Sequence, residues 1–207
     1  MKLRENCRYD LATVSSMGVR ITPFNRQPVQ SSSLFEMQST SAETNVLNIS
    51  ASLGLDTLVM TRFVQDSAIA SFIKAELRKR NIGYTGPDIP QGGPWGYRHQ
   101  FNIADSGYGL RGPVVQNDRA GEVGRTISAS NFELERLFAK DGVRILHLSG
   151  LIAAMSESTT AACLEIARYA KANGTLISFD LNYRASFWKG REDALRRDFQ
   201  EIASLAD

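Results

Sequence analysis

Stretches with a period of two alternate with stretches with a period near 3.6 along most of this chain, and that alternation leaves few folds open. Tyr9–Val14, Val19–Pro23 and Leu34–Gln38 read as short strands, followed by a helix from about Ser41 to Leu53. That helix carries Val46, Ile49 and Leu53 on one apolar face, with a Thr40/Glu43 capping-box pattern at its start and Gly54 at its end. Next come a strand over Thr57–Val64 and a helix over Ser67–Arg80, with Ile69, Phe72, Ile73 and Leu77 inward and Asn81-Ile82-Gly83 closing it. The pattern continues as Val143–Ser149 (strand), Ser158–Ala172 (helix), Thr175–Asp180 (strand) and Glu192–Leu205 (helix). Strands alternating with helices predict an α/β fold with a parallel sheet flanked by helices.

Residues 85–127 break the rhythm. They hold no helical period and are rich in glycine, proline and β-formers, with Gln91-Gly92-Gly93-Pro94-Trp95-Gly96 as a long turn. Extended pieces near Arg98–Ile103 and Gly112–Gln116 flank a Gly107-Tyr108-Gly109 turn. The expected organisation is an α/β core over 1–84 and 128–207, with a β-flap over 85–127 closing on a cleft.

Composition narrows the function classes. The 207 residues are 43% hydrophobic and 22% charged, enough for a buried core. A net charge of +2 gives no nucleic-acid footprint, and no apolar run reaches membrane-span length. Met1–Asp10 is charged and polar, unlike a signal peptide. Cys7 and Cys163 are too few for a disulfide framework, so the expected compartment is the cytoplasm. His99 and His147 have no clustered ligands, so no metal site is read, and His147 reads as a buried, hydrogen-bonded core residue. There is neither a Gly-x4-Gly-Lys-Ser/Thr loop nor a Gly-x-Gly-x-x-Gly after the first strand, which argues against P-loop and dinucleotide chemistry.

The candidate site begins where an apolar strand becomes polar, in Ile177-Ser178-Phe179-Asp180-Leu181-Asn182-Tyr183-Arg184. Ligands of open α/β sheets sit beyond the carboxyl ends of the strands, so Asp180, Asn182 and Arg184 stand where a small polar molecule is held. Arg184 offers a donor fork suited to carboxylate or phosphate. The competing reading is an Asp180–Arg184 pair that only ties off the strand. At the helix starting near Thr40, unpaired backbone amides suit an anion or hydroxyl, and Asn45 lies beside the apolar stripe.

Asp180-Leu181-Asn182-Tyr183-Arg184 followed by Trp188 resembles the segment after a central strand in 2-keto-3-deoxygluconate kinases, a branch of the ribokinase-like carbohydrate kinases. Ala42-Glu43-Thr44-Asn45-Val46, Leu53-Gly54-Leu55-Asp56-Thr57, Val59-Met60-Thr61-Arg62, Glu76-Leu77-Arg78 and Ile145–Gly150 match in the family's order, over residues 9–207. The resemblance implies a ribokinase-like sheet with a β-lid that mediates a homodimer, and covers only the N-terminal two thirds of that fold. It implies ATP- and Mg-dependent phosphorylation of a sugar acid such as 2-keto-3-deoxygluconate. Substrate contacts are expected from Thr40 and Ser41 (in place of the family's glycine pair), Asn45, Phe101, Asn117 (where the family has Tyr), Arg119, Asn182 and Arg184. Ser15-Ser16 stand where the family has Gly and an acid. The family's Gly-Ala-Gly-Asp base and anion hole fall beyond Asp207, so no catalytic residue is expected in this chain, and a downstream C-terminal segment is an expected partner. The alternative is a non-catalytic sugar-binding or dimerisation module.

Overall fold

The computed structural model describes residues 3–207, so Met1 and Lys2 of the polar opening stretch lie outside the described residues. Chain order is β1 (Tyr9–Val14), β2 (Gly18–Pro23), β3 (Phe35–Thr40), α1 (Ala42–Ser52), β4 (Thr57–Met60), β5 (Phe63–Val64), α2 (Ala68–Lys79), β6 (Ile82–Thr85), β7 (Asp88–Ile89), β8 (Gln100–Asp105) and β9 (Val114–Asp118). It continues with β10 (Val143–Ser149), α3 (Gly150–Ala153), α4 (Glu157–Ala172), β11 (Leu176–Asp180), α5 (Ala185–Trp188) and α6 (Glu192–Leu205). The main sheet has the order β11-β10-β1-β4-β6 and every pairing in it is parallel.

Both faces of this sheet are covered, which explains its near-continuous apolar strands. Ala12, Val14, Leu58, Met60, Leu146 and Leu148 face one core with residues of α3, α4 and α6, such as Ile152, Ile166 and Phe199. The intervening positions Leu11 and Val59 face a second core with Leu47 and Ala51 of α1 and Ile73 and Leu77 of α2. The period of two along each strand thus serves two helical layers.

Several boundaries differ from the sequence reading. The inward stripe of α1 is Glu43, Thr44, Leu47 and Ala51, whereas Ile49 and Leu53, expected inside, are 64% and 74% exposed, with Val46 also at the surface. Hydrogen bonds from Ser15 and Ser149 anchor Glu43 inside and set the rotation of the helix. The cap of α1 is Ser41, which accepts from the Thr44 amide at 2.9 Å; Glu43 is turned into the core and leaves the Thr40/Glu43 box unformed. The strand expected over 57–64 stops at Met60, and β5 pairs with β7 as a separate ribbon. Ile82-Gly83, expected to close a helix, already belong to β6 beside β4.

The flap also draws on more chain than residues 85–127. A second sheet of order β3-β2-β8-β9 forms because β2 pairs parallel with β8, from Gly18 opposite Gln100 to Ile21 opposite Ile103. Residues 18–40, assigned to the core on sequence, therefore share a sheet with the flap. The pairing joins segments some 82 positions apart (Gly18 to Gln100), and local pattern carries no sign of it.

Candidate functional site

A cavity of about 500 Å³ lies between the carboxyl ends of the main-sheet strands and one face of the second sheet, within the size range of small-molecule sites. Ser16, just past β1, Ser41 and Asn45 of α1, and Leu151 of α3 form its floor. Arg184, Ser186 and Phe187, after β11, close one side. Arg20 of β2, Thr40 of β3, Gln100 and Asn102 of β8, and Asn117 and Arg119 at the end of β9 line the opposite wall.

Six of the eight residues expected at a site thus meet around one space: Thr40, Ser41, Asn45, Asn117, Arg119 and Arg184. Two do not. Phe101 packs against the second core and lines a neighbouring hollow with Val64, Ile69 and His99. It alternates with Gln100 and Asn102, so when those face the cavity Phe101 must face away. Asn182 also lies off the cavity wall; its backbone adopts φ +33 and its amide donates to Asp180 Oδ1 at 2.9 Å. Asp180 thus fixes the turn that delivers Arg184, and no Asp180–Arg184 ion pair forms among the described residues.

Charge in the cavity is one-sided. Three guanidinium groups line it and no carboxylate side chain does. Arg119 Nη1 sits 2.8 and 2.9 Å from the two oxygens of the buried Glu122 carboxylate and over the Phe187 ring at 5.4 Å. Arg184 donates only to the Tyr183 carbonyl, at 3.0 Å. Among the described residues neither Arg20 nor Arg184 forms an ion pair.

The acid missing beside Ser15-Ser16 is supplied from elsewhere. Ser16 Oγ donates to Glu122 Oε1 at 2.5 Å. Ser15 Oγ lies 2.7 Å from both Glu43 Oε2 and Ser41 Oγ, and the Ser149 hydroxyl donates to Glu43 Oε1. Glu43 is wholly buried, without a cationic partner among the described residues, and ties together the ends of β1 and β10 and the start of α1. Burial pushes the pKa of His147 below its usual value, against the pull of Glu43 and Asp180; its Nδ1 lies 3.1 Å from Ser178 Oγ. His99 is also lowered by burial, and bridges the Met17 carbonyl at 3.0 Å and the Val64 amide at 3.3 Å.

Sequence reasoning missed Ser16, Arg20, Gln100, Asn102, Ser186 and Phe187. A signal for three of them was present: Arg20 lies between Val19 and Ile21, and Gln100 and Asn102 alternate with Phe101 and Ile103, which puts the polar members on the face opposite the apolar ones. The lining offers no carboxylate for Mg²⁺, and no cluster of three His, Cys, Asp or Glu occurs among the described residues. These residues can bind and orient a small anion rich in hydrogen-bonding groups.

The fold is that of ribokinase-like α/β proteins. A PfkB family carbohydrate kinase from Listeria grayi superposes with a TM-score of 0.83 at 26% identity, over 96% of this chain and 59% of that one. A 2-dehydro-3-deoxygluconokinase from Thermotoga maritima superposes with a TM-score of 0.84 at 22% identity, over 98% and 59%. A 2-dehydro-3-deoxygalactonokinase from Haloferax volcanii is 24% identical over 199 residues, 95% of this chain and 59% of the relative. No protein-family model matches the sequence. The chain therefore resembles the ribokinase-like carbohydrate kinases, and within them those acting on keto-deoxy sugar acids; it spans about 59% of the length of these relatives.

Proposed function

We propose that this chain is the sugar-binding portion of a carbohydrate kinase, and that the cavity holds a small sugar acid of the 2-keto-3-deoxygluconate type. The observation that carries the reading is the pair of guanidiniums, Arg20 and Arg184, that face the same cavity without carboxylate partners. An anionic group between them gains charge-assisted hydrogen bonds that nothing in the protein supplies. Arg119, already neutralised by Glu122, serves as a fixed donor stacked on Phe187. Asn45, Asn117, Thr40 and Ser41 are placed for the ligand's hydroxyls. The reading takes ATP with Mg as phosphoryl donor and a cytoplasmic setting.

Phosphoryl transfer needs a base beside the attacking hydroxyl as well as donors around the phosphates, and the cavity lining supplies no carboxylate to act as that base. The chain by itself is thus expected to bind sugar acid without phosphorylating it. A sugar-binding module without catalysis is the second reading, and it would use the same cavity. We also propose that two copies meet through the outer face of the second sheet. Phe35 and Met37 are exposed there, with Ile21 and Ile103 half-buried on the same face, an apolar surface of the kind that marks interfaces.

Calorimetric titration with 2-keto-3-deoxygluconate tests the assignment. A charged hydrogen bond contributes about 1.5–3 kcal/mol, so Arg184→Ala should weaken binding about tenfold or more. Equal affinity in both proteins would remove the basis of the reading. A coupled ADP-release assay on the repurified chain should show no sugar-dependent turnover; robust turnover would mean that the catalytic groups lie among these residues after all.

A further inference from the structure

The wall formed by the second sheet has an internal logic that anion binding does not use. Strand pairing sets Gly18 opposite both Thr40 and Gln100, and Arg20 opposite both Gln38 and Asn102; Asn102 in turn faces Asn117. Residues paired across strands share a face, so amides and hydroxyls run in rows across the wall. Gln100 and Asn102 are 4% and 5% exposed, and both line the cavity. Gln100 Oε1 and Asn102 Oδ1 are nevertheless buried without a hydrogen-bond partner. Two orphaned amide oxygens on one face of one strand are uncommon in folded proteins, where buried polar atoms are nearly always paired.

Gly18 shows how Gln100 comes to lie there. A Cβ at Gly18 would stand 2.0 Å from Gln100 Cγ and 2.6 Å from the Gln100 carbonyl oxygen. The side chain of Gln100 occupies the room that a bare position on β2 leaves open. Any larger residue at 18 would push it off the wall.

Resting on the sugar-binding reading above, we propose that Gln100 and Asn102 are specificity-determining residues that read the hydroxyl groups of the ligand. They thereby make the site selective for a polyhydroxylated acid over a short or deoxygenated one. A carboxamide offers an oxygen acceptor and two N–H donors at one end, and a half-turn about its terminal torsion exchanges which of them meets the ligand. A ligand hydroxyl can accept from the amide nitrogen, or donate to the orphaned oxygen once that half-turn brings it round to the cavity. A ligand with no hydroxyl there leaves both amides unsatisfied, the situation in which sites discriminate most strongly. Arg20 and Arg184 hold the acid end whichever ligand binds, so the two halves of the site recognise different parts of one molecule.

The test is calorimetry on the full chain with four probes: gluconate, 2-keto-3-deoxygluconate, 2-oxobutanoate as an acid without hydroxyls, and fructose as a neutral polyol. Asn102→Leu and Gln100→Met keep roughly the side-chain shape and remove the amide. Each variant should bind the two hydroxylated acids about tenfold or more weakly, and 2-oxobutanoate within about twofold of wild type. Neither melting temperature should fall, because exchanging an unpaired buried amide for an apolar group of similar shape is near neutral or stabilising; that result separates a reading role from a structural one. Unchanged affinity for the hydroxylated acids in both variants would overturn the amide assignment and leave anion binding intact. Wild type preferring fructose to either acid would overturn the acid reading, while tenfold loss of fructose in the variants would still support the amides. Wild type binding none of the four at millimolar concentration would overturn both.

Discussion

Gly150→Ala tests how tightly the core and the site are joined. Gly150 opens α3 directly after β10, and a Cβ there would stand 1.9 Å from the Leu181 carbonyl oxygen and 2.7 Å from Phe199 Cε1. Relief of the first contact requires backbone movement, either of α3 or of the turn that runs from Leu181 to Arg184. Overpacking of this kind costs about 1–3 kcal/mol. At roughly 2–4 °C per kcal/mol for a domain of about 150–250 residues, the melting temperature should drop by about 2–12 °C. Displacement of the turn should also move Arg184, so affinity for 2-keto-3-deoxygluconate should fall together with stability. Gly174→Ala is the control: Gly174 has φ +78, and a Cβ there would meet nothing within 4 Å. It should lose stability through backbone strain alone, about 1–2 kcal/mol, and keep its affinity. Melting of Gly150→Ala within a degree of wild type, with unchanged binding, would refute the proposed coupling.

Glu43→Ala should cost about 2–4 kcal/mol, because the Ser15 and Ser149 hydroxyls lose a buried acceptor. Glu43→Gln keeps an acceptor oxygen and the reach of the side chain, so it should fall within about 1 kcal/mol of wild type; equal losses by denaturant titration would show that the serine bonds are not what matters. His99 and His147 both have folded-state pKa values depressed below 6.5 by burial. Their contribution to stability is present above pH 6.5 and lost as pH falls through the lower folded values, and a melting temperature constant from neutral pH down to the carboxylate range would contradict this. Light scattering should show a dimer that Met37→Glu disperses; a monomer at high concentration would count against the outer-sheet interface.

The fold was readable wherever burial and period agreed. Val143–Ser149 and Glu192–Leu205 coincide with β10 and α6, since each carries a clean pattern and is followed at once by a small residue, Gly150 or Ala206. The rotation of α1 was not readable, because its inner stripe is led by Glu43 and Thr44, whose burial depends on serines of other elements. Phe101 shows a similar limit. Alternation reveals that it shares a face with Ile103, but the face that looks into the cavity is decided by β2 pairing with β8. Arg184 was legible because its position follows from a strand end alone, whereas for Arg20 and Asn102 alternation gives only the polar face, and the β2–β8 pairing decides that this face meets the cavity.

The place of β1 in the main sheet has a consequence for the order in which the protein comes together. One edge of β1 closes early against β4, but the other waits for β10, whose pairing of Thr13 with His147 spans 134 positions. At ribosomal rates of about 5–20 residues per second, that edge stays open for on the order of ten seconds on the nascent chain. During that time a buried strand, Leu-Ala-Thr-Val at its core, presents free N–H and C=O groups to any neighbour. Translation stalled or terminated before Val143 would leave it permanently open, so fragments of that length should aggregate while chains reaching β10 remain soluble.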